Sequence, residues 1–274
     1  MQAPNPQQLV PGLRSCALDD LVIDDEPSFR HVGLYADLKE ILRRDGYEFR
    51  VLPASSEGRW DRALLLNLTF WASGSGGDVL VDDHLSADVV AHVAWHHLAS
   101  RALPSPPSAE ALFLGEAIAS AFDVYLVGRL LGHAPRSTFL ATQVPAMAEA
   151  AGAAGLSAEG FEVLLERIAA DPERAFEELR ELLYDATRAL FACSTATDGL
   201  IALAAFDGHP FAPLLHRYEL SNWVLYARAY AGRADVPDER AGAVDRALRA
   251  EADALAWLTK AWLTKASVTT TSGT

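Results

Sequence analysis

The sequence predicts an α+β protein in which a small mixed helix-and-strand portion precedes a mostly α-helical portion. Up to about residue 85, stretches that alternate like strands flank one helical repeat, whereas the segments after Ser86 carry apolar residues at helical spacing. The chain has 274 residues, half of them apolar, which is enough for a sizeable core in one large domain or two small ones. We therefore expect an irregular arm at 1–28, an α/β portion at 29–85, a helical portion at 86–266 and a disordered tail at 267–274.

The α/β portion is predicted to contain one helix and three strands. Apolar side chains recur every three or four residues across 29–44, which is typical of an amphipathic helix, and Asp45-Gly46 is a stop signal. The arm carries prolines and acidic residues and is predicted to lack regular elements. Strands are predicted at 47–52, 62–70 and 78–82, with a flexible glycine-rich turn at 74–77.

The helical portion is predicted to begin with two helices that fold back on each other. Ser86 and Ser108 are candidate N-caps, and a proline-rich break at 104–107 separates the two segments. Small residues on both sides of Glu116 should let the two backbones approach closely. Helices are predicted at 86–103, 108–131, 137–150, 157–170, 172–192, 197–206, 211–231 and 237–265.

The charge balance argues against nucleic-acid and membrane partners. Twenty-three Lys and Arg against 37 Asp and Glu give a net charge of −14, and an acidic surface repels phosphate backbones and anionic lipids. The first residues lack the pattern of a signal peptide, and no uninterrupted apolar run is long enough to span a bilayer. Two cysteines are too few for a disulfide framework. We expect a cytoplasmic protein.

Two histidines and a glutamate have the spacing of a metal site. His92 and His96 are four residues apart on one predicted helix, so their imidazoles project from the same face. Glu116 follows 20 residues after His96, on the helix predicted to fold back. Two His and one carboxylate with an open position form the ligand set of catalytic zinc sites and of non-haem iron sites. Zinc is the predicted metal, with iron as the alternative.

The segment from Asp78 to Asp123 resembles the gluzincins, the thermolysin-like zincin metallopeptidases. In that family a strand precedes a helix bearing His-Glu-x-x-His, and a Glu about twenty residues later lies in an Asn-Glu-Ala-Ile-Ser-like motif. This chain has His92-Val-Ala-Trp-His96 and Gly-Glu116-Ala-Ile-Ala-Ser. The resemblance implies a zincin-like fold, with zinc bound by His92, His96 and Glu116. The substrate that it implies is a peptide or an amide.

The family's general base directly follows the first His, and here that position is Val93. Valine cannot accept a proton, so ordinary gluzincin proteolysis does not carry over. The base could come from elsewhere, and the candidates are His97, Asp123, His84 and the cluster 216–219 that contains His216. Asp123 or Ser120 could also orient a metal-bound imidazole.

We therefore predict a degenerate or altered metallohydrolase acting on a peptide or amide, with His97, Asp123 and His216 as candidate catalytic residues. Two alternatives stay open. One is a non-catalytic pseudopeptidase that binds a small molecule or a protein partner. The other is an iron oxygenase built on the same two-His-one-carboxylate set.

Overall fold

The computed structural model describes residues 12–56, 58–70, 78–230 and 237–264. Within these ranges the protein is mostly helical with a small sheet, in agreement with the predicted α+β class. The predicted turn at 74–77 and the predicted tail at 267–274 lie outside the described residues, as do residues 1–11 of the predicted arm.

Five short strands form two small sheets. They are β1 (Arg14–Ala17), β2 (Val22–Asp24), β3 (Glu48–Val51), β4 (Val79–Leu80) and β5 (His84–Ser86). The central strand of the larger sheet is β3, which pairs antiparallel with β1, Cys16 opposite Phe49, and parallel with β4, Arg50 opposite Val79. A separate parallel pair consists of β2 and β5. These pairings place β4 and β5 just ahead of the first long helix of the second portion.

The helices, which make up most of the described chain, follow in sequence order. They are α1 (Glu26–Phe29), α2 (Gly33–Arg44), α3 (Trp60–Phe70), α4 (Ala87–Ala102), α5 (Ala109–Leu130), α6 (Thr138–Ala153), α7 (Ala158–Ala170), α8 (Pro172–Ala192), α9 (Ala196–Ala204), α10 (Leu220–Tyr230), α11 (Glu239–Ala250) and α12 (Ala254–Leu258). Short 3-10 segments occupy Leu18–Asp20, Ala54–Ser56 and Ala212–Tyr218, and a π-helical turn at Thr259–Thr264 follows α12.

Two predictions for the first portion are wrong. The predicted strand at 62–70 is part of α3, because its Ala and Leu residues have high helix propensity and a short apolar run does not distinguish helix from strand. The predicted irregular arm contains β1, β2 and α1. Strands of three or four residues are too short to show a clear alternation in the sequence.

The two helices predicted to fold back on each other are confirmed as α4 and α5, with ends within one residue of the prediction. Ser108 caps α5 as expected, since its side chain accepts a hydrogen bond from the Ala111 N–H. Ser86 occupies the N-cap position of α4 without such a bond.

Two long helices predicted near the C-terminus are broken in the structure. The segment predicted as 211–231 divides at Glu219, whose φ of 45° is left-handed, and the segment predicted as 237–265 divides after α11. In the second case Asp253 accepts a hydrogen bond from the Ala256 N–H and starts α12. Apolar periodicity runs through both breaks, so the sequence pattern alone did not reveal them.

The core is organised around α5, which packs against α4 on one side and most extensively against α8. By length and composition, α5 is the one helix of the described ranges that could cross a membrane, but 83% of its most apolar window is buried inside the fold. Near its end, Gly128 lies against the α7–α8 junction: a Cβ there would be 2.6 Å from the Ile168 carbonyl oxygen. This glycine permits the close approach of α5 to that junction.

We predict that Gly128→Ala lowers the free energy of unfolding by roughly 1–3 kcal/mol, because the new methyl group overpacks a contact with rigid backbone. Gly152→Ala on α6 is the matched control, since no atom lies within 4 Å of the Cβ it would add. Alanine is there expected to leave stability unchanged or to raise it by up to about 1 kcal/mol. Urea denaturation of both variants measures the difference, and equal stability of the two would refute the close approach.

Candidate metal centre

The helices α4 and α5 pack closely where the predicted ligands lie. A Cβ on Gly115 would be 3.5 Å from the Ala99 Cβ and 4.0 Å from the His96 Nδ1 atom. Two turns further along α5, the buried rings of Trp95 and Phe122 meet edge to face with 5.4 Å between centroids. The predicted close approach is therefore confirmed, and it places Glu116, the residue after Gly115, beside His96.

His92, His96 and Glu116 come together as one cluster. The two histidine Nε2 atoms are 3.1 Å apart, and the His96 Nε2 atom is 3.5 Å from the Glu116 Oε1 atom. One candidate ligand atom from each of the three residues lies within 4.8 Å of the other two. In the described part of the chain, this is the one group of three or more His, Cys, Asp and Glu side chains with such geometry.

Two of the three ligand-atom separations match the coordination sphere of a metal ion, and the third, between His92 and Glu116, lies within 4.8 Å. Zinc bonds of about 2.0–2.1 Å in a tetrahedron place neighbouring ligand atoms about 3.3–3.4 Å apart. The separations of 3.1 Å and 3.5 Å lie on either side of this value. The side chains of His92 and His96 remain about 30% exposed, so solvent reaches the cluster. The residues therefore suit a three-ligand site with a position open to water or substrate.

Asp123 holds the outer side of the His92 ring. Its Oδ2 atom is 3.3 Å from the His92 Nδ1 atom, while the Nε2 atom of the same ring faces His96. A carboxylate in this position keeps the proton on Nδ1 and leaves Nε2 free to bind a metal. Asp123 lies two helical turns after Glu116 on the same face of α5. Between the two orienting candidates from the sequence, Asp123 makes a contact to His92 that Ser120 does not.

Carboxylates dominate the electrostatics of the cluster. Burial lowers the pKa of His92, but the charges of Asp123, Glu116 and Asp78 outweigh burial and raise that pKa well above its ordinary value. Burial and the positive charge of His92 together lower the pKa of His96 far below its ordinary value. Carboxylates therefore outweigh burial at His92, whereas burial and the neighbouring imidazole outweigh the carboxylates at His96.

Asp88 adds a further carboxylate on the helix that bears both imidazoles. It lies one turn before His92 on α4, and burial and the charge of Asp123 raise its pKa. Burial is the larger of these two causes, and the charge of Asp123 adds to it.

Three candidate bases from the sequence point away from the cluster. The His97 Nε2 atom lies 2.9 Å from Asp45, and the ring of His97 packs edge-on against Tyr47. His84 faces Asp24 at 3.0 Å across the β2–β5 pair. His216 is exposed on the 3-10 segment, and no described contact joins it to the cluster. In the described ranges, none of the three makes a contact with the cluster, and their catalytic roles stay predictions.

In the C-terminal cluster 216–219, Tyr218 is buried, whereas His216 is exposed. The Tyr218 side chain is 9% exposed, and its hydroxyl oxygen is buried with no hydrogen-bond partner among the described residues. Burial and the negative charge of Asp123 raise the pKa of Tyr218. The phenol of Tyr218 is therefore neutral.

Val93 and Asp78 are the two positions that the sequence left unexplained. Val93 is 3% exposed and belongs to the hydrophobic core, so a glutamate there would be buried among apolar side chains. Asp78 precedes β4, and its charge acts on both imidazoles. No sequence signal singled out Asp78, because strand pairing, not local spacing, brings it to α4.

Comparisons with models of known protein families, with curated proteins and with solved structures each returned no match. The argument for function therefore depends on the geometry of the cluster.

We predict that Asp123→Asn weakens metal binding by about 10- to 100-fold, because the amide no longer attracts the Nδ1 proton of His92 as a carboxylate does. Ser120→Ala, on the same buried stretch of α5, is the control and should leave affinity within twofold. Competition with a colorimetric chelator measures both constants. Equal affinities of Asp123→Asn and the native protein would exclude this orienting role.

We predict that Asp45→Asn destabilises the protein at pH 7 by about 1–3 kcal/mol, because the Asp45 carboxylate accepts a charged hydrogen bond from Arg101 and a further hydrogen bond from His97. Burial raises the pKa of Asp45, but these partners outweigh burial and lower it. A lowered pKa stabilises the fold above the ordinary carboxyl range, so the difference from native protein should shrink as pH falls through the lowered pKa.

Chemical denaturation as a function of pH tests this prediction. Asp37→Asn, an exposed position on the same helix, is the control for loss of one negative charge. If both variants lose equal stability, the loss comes from the removed negative charge, and the contact of Asp45 with α4 does not stabilise the fold.

Proposed function

We propose that the protein is a metal-dependent hydrolase of zincin-like type that cleaves a peptide or amide bond. The observation that carries the proposal is the cluster of His92, His96 and Glu116, in which the separations from His96 to the other two ligand atoms match a coordination sphere. Structural zinc sites have four protein ligands, whereas catalytic sites have three and an open position. The described residues supply three, and solvent reaches them.

Each surrounding residue has a defined part in this proposal. When bound, a zinc ion would lower the pKa of a water molecule and polarise a carbonyl oxygen. His92, His96 and Glu116 would hold the ion, and Asp123 would fix the tautomer of His92. The net charge of −14 supports the further expectation that neither nucleic acid nor anionic membrane is a partner.

A non-haem iron oxygenase is the second candidate, because two His and one carboxylate also form the iron facial triad. The distance of 3.1 Å between the two Nε2 atoms is close to the edge of an octahedron with bonds of about 2.1 Å, roughly 3.0 Å. Iron retention and consumption of dioxygen would favour this candidate over hydrolysis. Metal binding without turnover of any kind would favour a pseudopeptidase that binds a partner.

Protein purified without chelator is expected to contain about one metal ion per chain, measured by elemental analysis. The double variant His92→Ala/His96→Ala should retain less than about 0.2 ion, because two of three ligands are gone. His31→Ala/His133→Ala, which removes two exposed histidines, is the matched control and should load fully. Equal loading of the two double variants would refute the site.

Metal removal is expected to lower the melting temperature by a few degrees at pH 7.5. An ion at a hundredfold excess over its dissociation constant stabilises the folded state by about 2.7 kcal/mol. The effect should be smaller at pH 5, because protonated imidazoles do not bind metal. In Glu116→Ala, chelator should cause only a small part of the decrease in melting temperature that it causes in the native protein. If chelator lowers the melting temperature of this variant as much as that of the native protein, Glu116 is not a ligand and the zincin-like proposal fails.

A further inference from the structure

A cleft that shares no residue with the metal cluster lies where the start of α11 meets α5 and α8. Its volume is about 180 Å³, which leaves room for one small molecule. The Asp238 N–H donates a 2.7 Å hydrogen bond to the Glu110 Oε2 atom. The Asp238 carboxylate accepts hydrogen bonds from the Ser108 hydroxyl and from two N–H groups in the first turn of α11. Hydrogen bonds therefore fix the start of α11 against α5 at this cleft.

Three of the four carboxylates that line the cleft are paired within the protein. The N-cap carboxylate of α11 has the partners given above, and Glu110 also lies 3.2 Å from the Arg188 Nε atom. The two Asp245 oxygens accept hydrogen bonds of 2.8 Å from Arg180 and 2.9 Å from Arg249. These three carboxylates therefore already have protein partners.

Two guanidinium groups in the cleft keep donors for a ligand. Arg188 forms its ion pair through Nε, and in the described ranges no hydrogen bond occupies its Nη atoms. Arg246 lies over Gly242, where a Cβ would be 3.3 Å from the Arg246 Nη1 atom. Its ion-pair partner Glu239 is 3.9 Å away, which is beyond hydrogen-bonding distance. The side chains of both arginines are at least half exposed, so their donors are accessible to a ligand.

Tyr184 adds a phenol that has no hydrogen-bond partner in the part of the chain that the structure describes. It lines the cleft and is 1% exposed, and the guanidinium of Arg188 lies 5.4 Å from its ring centroid. Burial, with a smaller contribution from the charge of Glu110, raises the pKa of Tyr184, so the hydroxyl keeps its proton and can donate it. The acceptor for this hydroxyl must then be a molecule that occupies the cleft.

The fourth carboxylate, that of Glu239, is an acceptor beside these donors. Its side chain is 87% exposed, and its carboxylate makes no hydrogen bond within the described ranges. Guanidinium and phenol donors suit an oxyanion, whereas a free carboxylate suits an ammonium group. Four carboxylates and two guanidinium groups line the cleft, so its net negative charge disfavours a simple anion. A molecule with both a carboxylate and an ammonium group matches these side chains without adding net charge.

We propose that this cleft binds a small zwitterion of the α-amino-acid type. The ligand carboxylate contacts Arg188, Arg246 and the Tyr184 hydroxyl, and the ligand ammonium group contacts Glu239. None of these residues belongs to the metal cluster, so the inference goes beyond the proposed hydrolase function and does not depend on it.

Isothermal titration calorimetry on native protein that has been treated with chelator and dialysed tests the proposal. Metal is removed first because an amino acid also binds metal ions through its amine and carboxylate. L-alanine is expected to bind once per chain with a dissociation constant of about 1 mM or lower. Propionate lacks the ammonium group and L-alaninamide lacks the carboxylate, so each should bind at least about 10-fold more weakly. Inorganic phosphate should bind no more tightly than propionate.

Two exposed side chains of the cleft can be changed with little risk to the fold. Arg246→Met and Glu239→Gln should each weaken the binding of L-alanine at least about 10-fold, because each variant removes one charged partner. The matched controls are Arg136→Met and Glu251→Gln, which alter exposed positions outside the cleft and should bind L-alanine within twofold of native protein.

Tyr184→Phe separates the hydroxyl from the packing of the ring. This variant should bind L-alanine about two- to tenfold more weakly, because one hydrogen bond to the ligand is lost. Its stability in urea without ligand should equal that of native protein, since the hydroxyl has no partner among the described residues.

Three results would overturn the inference. The first is that L-alanine does not bind to the metal-free native protein. The second is that propionate or phosphate binds as tightly as L-alanine, which would exclude a zwitterion as the ligand class. The third is that Arg246→Met and Arg136→Met bind L-alanine equally, which would place the binding outside this cleft. Because all of these measurements use metal-free protein, their failure leaves the proposed metal centre untouched.

Discussion

The packing of α4 against α5 determines the rest of the site. Both imidazoles come from one helix and the carboxylate from the other, so their distance depends on how closely the two backbones approach. Gly115 permits that approach directly beside Glu116, and the Trp95–Phe122 contact fixes it two turns further along α5. The helix α5 also packs against α8, and this is the most extensive helix–helix contact in the core. The position of Glu116 is therefore fixed by that contact as well. The cluster is thus preorganised by packing that involves none of its own polar atoms.

Holding the two imidazoles and the carboxylates close together costs electrostatic free energy. Two imidazoles face each other at 3.1 Å among several carboxylates, and burial penalises the charged form of both imidazoles. The negative field raises the pKa of His92, so a proton and a metal ion compete for the same place. Burial of ligands in a fixed geometry is tolerable because a divalent cation neutralises the carboxylates more completely than one proton does.

The sequence predicted those parts of the site that depend on helix periodicity. His92, His96, Glu116 and Asp123 lie where spacings of four and seven residues place them, because residues on one helical face stay on that face. His97 is one residue beyond His96 and therefore turns about 100° to meet Asp45 instead of the cluster. Asp78 could not be predicted, since it reaches α4 through the non-local pairing of β3 with β4. The strand assigned to 62–70 failed for a local reason, the helix preference of its leucines.

The end of α2 has a consequence for how this protein can change over evolutionary time. Gly46, with φ of 61°, ends the helix so that Asp45 reaches His97 while Tyr47 packs on the same ring and reaches Asp78. Three consecutive residues, none of them a ligand, thereby connect the α/β portion to the helix that carries both histidines. Substitutions in this turn would alter fold and site together, so the first portion cannot drift independently of the second. Related chains should accordingly keep the Asp-Gly-Tyr triplet wherever they keep the His-x-x-x-His pair.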